Sequence, residues 1–326
     1  MKRHTLLTFA AFLAMICSQS VAASPAEYPA KGRTITMIVP STAGGGTDVT
    51  ARLIAQVMQK DLGVQVQIVN KPGASMQIGL SEAAIAKPDG YTLVWTVLPT
   101  AASIYLEPGR QASFGRKDLQ PIALVNEGPF FVSVLAKSPY KTLQDLVDAA
   151  KANPEKLKAG TTGYMSTGHF ANIALQRAAG VKFATVNFQG GGPEITALLG
   201  GHIDVSFNAI GEILGHSRDG LVRILGVMSK RESEFLPGVK TLEALGYKAE
   251  VIVSVGLSGP AALPKEIVDV LANSVRKAML DKEFKEIMAE RGEPVVYLSP
   301  QEYAAHWDNY DVQFKPLVEI AKQQGQ

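Results

Sequence analysis

Three segments of this chain share one pattern: a short apolar run, a turn rich in glycine and hydroxyls, and then a helical periodicity. The first is Ile35–Pro40, then Ser41-Thr42-Ala43-Gly44-Gly45-Gly46-Thr47, then Asp48–Lys60, where Val49, Leu53 and Val57 recur at i, i+4 and i+8. In the second, Leu157–Gly160 leads through Thr161-Thr162-Gly163-Tyr164-Met165-Ser166-Thr167-Gly168 into His169–Ala179. The third passes from Ala184–Phe188 through Gln189-Gly190-Gly191-Gly192 into Pro193–Leu199. A strand that feeds a helix returns to its sheet by a crossover, so the repeated unit builds an α/β fold with a mostly parallel sheet covered on both faces.

Further strand candidates are Val64–Val69, Thr92–Val97, Pro121–Val125, Phe130–Ala136, Asp204–Phe207, Val222–Met228 and Ala249–Ser258. Helical patterns cover Leu143–Lys151, Lys265–Leu280, Phe284–Arg291 and Pro300–Gln323, the last with a kink or break expected at Pro316. The 326 residues suit two domains better than one. No Gly/Ser- or Pro-rich linker separates them, so the connection falls to extended chain. Pro121–Ala136 and Ala249–Pro260 are long enough to cross between lobes. The expected layout is a discontinuous first lobe, 24–127 plus 255–326, around a second, 128–254, with a hinge and a cleft between them.

The N-terminus reads as an export signal. Lys2 and Arg3 precede the apolar run Leu6–Ile16, and Val21, Ala22 and Ala23 offer a small-residue cleavage site before Ser24. The run is too short to span a bilayer core of about 30 Å. Loss of residues 1–23 takes two of the 32 basic residues, none of the 30 acidic ones, and the single cysteine, Cys17. A neutral, cysteine-free chain remains. That excludes a disulfide scaffold, a Cys-based zinc site and the basic footprint of a nucleic-acid binder.

A glycine turn between a strand end and a helix start leaves backbone N–H groups facing a crevice, where the helix dipole favours anions. Gly44-Gly45-Gly46 lacks the third glycine of a dinucleotide fingerprint, and no Gly-Lys-Ser/Thr follows as in a P-loop. Read alone, the segment is equally a tight structural turn. Asp48 has a local reading too, as a first-turn carboxylate paired with Arg52. Ser166 or Thr167 can serve as a plain N-cap, and His169 either donates to a ligand or is structural. No H-E-x-x-H motif or ligand-spaced histidine pair occurs, and Gly256-Leu257-Ser258-Gly259-Pro260 misses the nucleophile elbow. No catalytic residue, metal or cofactor is expected.

Several motifs together carry a family resemblance. They are Gly44-Gly45-Gly46-Thr47-Asp48-Val49-x-Ala51-Arg52, Asn70-Lys71-Pro72-Gly73, Lys87-Pro88-Asp89-Gly90-Tyr91-Thr92-Leu93, Phe188-Gln189-Gly190-Gly191-Gly192-Pro193 and Gly200-Gly201-His202-Ile203-Asp204. The chain resembles the Bug family, the solute receptors of tripartite tricarboxylate transporters, over essentially its whole mature length. The resemblance implies a type II-like periplasmic binding protein: two lobes, two crossover strands and an interlobe cleft. It implies a non-enzymatic, monomeric, periplasmic receptor that closes on a small organic acid and docks on membrane subunits. Ligand-binding residues carried over are Ser41, Thr42, Gly44, Gly45, Gly46, Thr47 and Asp48 from the first loop. The second loop supplies Thr161, Thr162, Gly163, Ser166, Thr167 and His169, and Asn208 stands in the strand beyond.

The chain departs from the family pattern at Ser41-Thr42, at Met165, at Asn208 (an amide in place of a carboxylate) and at Val255 (in place of an aromatic). A pocket more polar at Ser41 and Thr42 and less negative at Asn208 would suit a multiply charged acid. Di- and tricarboxylates, acidic amino acids and aromatic acids all remain open as ligands. So do a signalling role and, on a different reading, an exported enzyme acting on a carboxylate.

Overall fold

The computed structural model describes residues 28–324, so the signal segment Met1–Ala23 lies outside the described residues. The elements begin β1 (Ile35–Val39), α1 (Gly46–Leu62), β2 (Val66–Asn70), α2 (Gln77–Ala84), β3 (Thr92–Leu98) and α3 (Thr100–Leu106). Next come β4 (Leu119–Leu135), α4 (Leu143–Ala152), β5 (Lys158–Thr161), α5 (Thr167–Ala179), β6 (Ala184–Asn187) and α6 (Gly191–Leu199). The chain continues with β7 (Val205–Ala209), α7 (Ile210–Arg218), β8 (Val222–Val227) and β9 (Ile252–Pro260). It ends with α8 (Lys265–Leu280), α9 (Lys282–Glu290), β10 (Val295–Leu298) and α10 (Pro300–Gln324).

Two sheets share the 17-residue strand β4. Its first part pairs with β9 and β10, and its second part with β7 and β8. The strand order β2-β1-β3-β9-β4-β7-β5-β6 runs from one lobe into the other. The outer strands are parallel, as the strand–helix units require: β1 with β2 and β3, β5 with β6 and β7. Around the crossovers the pairing is antiparallel, so the sheets are mixed rather than mostly parallel. The cause is the crossover itself, because β4 leaves the first lobe and β9 returns to it in the opposite direction. Their pairing continues through Glu127↔Ser254, Gly128↔Val253 and Pro129↔Ile252, which makes a two-stranded bridge between the lobes.

Helix positions follow the apolar stripes. α1 buries Ala51, Ile54, Ala55 and Met58, and α8 buries Val268, Leu271, Val275 and Met279, with the two helices packed together over the first sheet. Leu- or Ile-sized side chains here each contribute about 1.5–3 kcal/mol by burial. α10 continues through Pro316, where a kink or break was expected. It lays Tyr303, Trp307 and Val318, all fully buried, against a cluster that includes Phe170 of α5.

Candidate ligand-binding site

The β1–α1 turn is held open by its own carboxylate. Asp48, 2% exposed, accepts from the Gly44 N–H (2.9 Å), Arg52 Nε (2.9 Å) and Asn70 Nδ2 (2.7 Å). Burial alone would raise the Asp48 carboxyl, but these hydrogen bonds outweigh it and hold the group below the usual carboxylate range. The charge is thus spent on fixing the loop and does not face a ligand. Gly45 is the N-cap of α1, and no side chain caps the helix. Its first N–H groups stay available to an anion.

The β5–α5 turn is organised differently. Ser166 Oγ caps α5 by accepting from the His169 N–H (3.2 Å). His169 Nδ1 accepts from the Met165 N–H (2.9 Å), and burial lowers the ring to about 4, so it is neutral at neutral pH. Met165 itself is fully buried, and its carbonyl accepts from Ser103 Oγ of α3 (2.8 Å). The Thr167 N–H donates to Thr100 Oγ1 across the cleft (3.0 Å). The β6–α6 turn resembles the first one: Gly190 is the N-cap, with φ 113°, and no side chain caps α6.

All three turns open on one interlobe cavity of about 80 Å³. A single water needs roughly 10–15 Å³, so there is room for a small molecule or several waters. The wall includes Ser41, Thr42, Gly45, Gly46 and Thr47 of the first turn, Thr162, Ser166 and Thr167 of the second, and Gly190 and Gly191 of the third. Phe130, Val253 and Val255 of the crossover strands form an apolar side. Ser41 Oγ is shielded from solvent and has no hydrogen-bond partner among the described residues.

Six of the sequence-derived positions do not line this wall. Gly44 and Asp48 stabilise the first turn from behind. Thr161 Oγ1 donates to Asn187 Oδ1 (2.7 Å), while its neighbour Thr162 reaches the cavity. Gly163, at φ 141°, has Ser75 of the opposite lobe pressed against it, where a Cβ would come within 2.6 Å of Ser75 Oγ. His169 borders a separate outer cavity with Gln176 and Lys182. Asn208 is fully buried beside Ser206, while Ala209, next along the strand, lines the wall.

Other wall residues carry no sequence signal that singled them out. Ser75 and Met76 belong to the run Ala74-Ser75-Met76, three successive non-glycine residues with positive φ (45°, 47° and 76°). Such backbone costs about 1–3 kcal/mol per residue and clusters at ligand clamps. Among the described residues, the only charged ones on the wall are Glu212 of α7 and Glu293, which lies between α9 and β10. Burial pushes the Glu293 carboxyl up to about 7, with Arg291 opposing and Glu212 adding to the rise. Burial likewise raises Glu212, against hydrogen bonds from Asn208 and the Ala209 N–H. Behind them, burial and the Glu212 charge hold Glu194 well above the usual range. The wall therefore carries two acids whose ionised forms burial disfavours, and Asn208, expected to make the pocket less negative, lies behind the wall rather than on it.

Comparison with known proteins gives a consistent result. A family model described as "Tripartite tricarboxylate transporter family receptor" matches residues 50–322. A UPF0065 protein from the gbd 5′ region of Cupriavidus necator is 32% identical over 307 residues, 93% of each chain. The solved structure of the periplasmic binding protein BugD superposes with a TM-score of 0.83 at 28% identity, covering 89% of this chain and 98% of that one. MatC from Rhodopseudomonas palustris, solved with bound malate, gives 0.84 at 26% identity, with 89% and 100% covered.

Proposed function

The chain belongs to the tripartite tricarboxylate transporter receptor family, and on that premise we propose that it captures a small organic acid between its lobes and delivers it to the membrane subunits of a tripartite transporter. One observation carries the ligand class: uncapped N-termini of α1 and α6, one from each lobe, meet at a single cavity together with unpartnered Ser41 Oγ. A carboxylate there accepts from N–H groups that otherwise lack acceptors, and such charge-assisted bonds are stronger where water is excluded. MatC, with its bound malate, is a relative that holds a carboxylate.

The mechanism is hinge closure about the β4–β9 bridge. A ligand that contacts both lobes favours the closed form by the difference in its affinity for the two states. In this reading lobe 1 comprises 24–127 plus 255–326 and lobe 2 comprises 128–254. The ligand-contacting set is Ser41, Thr42, Gly45, Gly46, Thr47, Thr162, Ser166 and Thr167. Gly44, Asp48, Thr161, Gly163, His169 and Asn208 support it from outside the wall. The protein is exported after cleavage behind Ala23 and acts in the periplasm as a monomer.

A thermal-shift screen over aliphatic, aromatic and amino-bearing carboxylates tests the proposal. Saturable stabilisation by a carboxylate is expected, since binding to the native state raises its stability by mass action. Stabilisation only by solutes that lack a carboxylate overturns it.

A further inference from the structure

The cleft is acidic where an anion receptor would be expected to be basic. Among the described residues, its wall includes no Lys, Arg or His, and its two charged members are Glu212 and Glu293. Glu293 is 8% exposed. Its Oε2 accepts from Asn126 Nδ2 at 3.0 Å, whereas Oε1 has Arg291 Nη2 at 3.7 Å and no hydrogen bond. Glu212 Oε2 accepts from Asn208 Nδ2 at 3.4 Å, and the Ala209 N–H also donates to this carboxyl. Glu293 is buried and Glu212 half-buried, and a carboxylate withdrawn from water with acceptor sites to spare gains from any further donor.

The backbone is shaped around this pair. A Cβ on Gly191 would overlap the Glu212 carboxylate, and a Cβ on Gly211 would overlap that of Glu293. Both acids approach the start of α1, with Glu212 Cγ 3.2 Å and Glu293 Oε1 3.8 Å from the Cβ position of Gly46. They come from opposite sides of the cleft, Glu212 from the α7 lobe and Glu293 from the α8–α10 lobe. A single donor with several N–H groups, placed between them, joins the lobes as a ligand carboxylate at the glycine turns does.

We propose that Glu212 and Glu293 select a zwitterionic acid, one carboxylate plus one ammonium group, over di- and tricarboxylates. This rests on the carboxylate reading above and deepens it. The ligand carboxylate meets N–H groups and hydroxyls at Gly45–Thr47, Thr162 and Ser166. Its ammonium supplies the missing donors to Glu212 and Glu293, with Val97, Val253 and Val255 against the carbon chain between. A second ligand carboxylate would bring no N–H donor to either acid and would be repelled by whichever of the two is ionised.

Matched acids with and without an amine test the proposal by calorimetric titration. The pairs are 4-aminobutanoate and 2-aminobutanoate against butanoate, and 3-(aminomethyl)benzoate against 3-methylbenzoate. Butanedioate represents the dianions, and the broader carboxylate screen runs in parallel. At least one amine-bearing acid is expected to bind about tenfold or more tightly than its amine-free partner and than butanedioate. Both Glu212→Gln and Glu293→Gln should shrink that gap to about threefold or less, with the fold confirmed by circular dichroism. The two variants are independent, so failure of one to fold leaves the other to decide. Tighter or equal binding of any amine-free acid overturns the proposal, as does a preference that survives the substitutions. If amine-free carboxylates bind and amine-bearing ones do not, the selectivity proposal fails while the carboxylate reading stands. If no acid in either set binds, the carboxylate reading itself falls.

Discussion

The β1–α1 and β5–α5 turns begin as near copies in sequence and end with opposite roles. Both place hydroxyls and glycines between a strand and a helix. In the first, Asp48 turns back to hold Gly44, Arg52 and Asn70, leaving the start of α1 without a side-chain cap. In the second, Ser166 caps α5, His169 holds Met165, and Thr167 is tied to Thr100 of the other lobe. The α5 turn meets its hydrogen-bonding needs within the protein and clasps the lobes together. The α1 turn leaves its first N–H groups without a side-chain cap, which is what the proposed ligand carboxylate would supply. A glycine turn at a helix start therefore offers its backbone N–H groups to a ligand only where the chain does not cap it first, and the capped α5 turn faces the cavity with its hydroxyls instead.

Substituting Gly45 should break this contrast most severely. Its Cβ position has only the Thr42 carbonyl nearby, at 3.8 Å, so Gly45→Leu is tolerated by the fold while its side chain intrudes on the α1 terminus. Ligand-induced stabilisation should vanish with the ligand-free melting temperature little changed.

The next largest effect is expected from Glu293. Its folded-state pKa of about 7 lies above the ordinary 4.5. The folded state is therefore unpenalised below pH 4.5, and it loses stability as pH rises through 7, by up to about 3 kcal/mol. Chemical denaturation from pH 4.5 to 8 should show this decline in the wild type and a flatter profile in Glu293→Gln. A decline unchanged in the variant would assign it to other groups.

Thr100→Val tests the clasp. It strands the Thr167 N–H without its acceptor and should destabilise the protein by about 1–3 kcal/mol in urea titrations. Ser166→Ala removes the α5 cap and should cost about 1 kcal/mol while reducing ligand affinity far less than Gly45→Leu does.

Much of this was legible in the sequence, for identifiable reasons. α8 was read to the residue, Lys265–Leu280, because its apolar stripe is long and regular. The two candidate crossovers correspond to β4 and β9, although Pro121–Val125 and Phe130–Ala136 proved to be parts of one strand running through Gly128-Pro129. The short helices α2, α3 and α7 went unread, since one or two turns give too little periodicity to separate from loop. The strand β10 was also missed, its four residues being half-buried and bounded by the crossover it pairs with.

At the site, the glycine turns were legible because glycine runs are rare. Which residue of each pair faces the cavity was not, because strand alternation turned Asn208 inward and Ala209 to the wall, and Thr161 inward and Thr162 to the wall. Glu212 and Glu293 stand alone in sequence among 30 acidic residues, and only the folding of α7 against the α9–β10 connection brings them together.

The most direct measurement is a crystal structure with the acid that gives the largest thermal shift. The account predicts the ligand's carboxylate in the interlobe cavity, within about 3 Å of backbone N–H groups at Gly45–Thr47. It predicts contacts from both lobes. A ligand seated elsewhere, such as the outer cavity beside His169, Gln176 and Lys182, would contradict it.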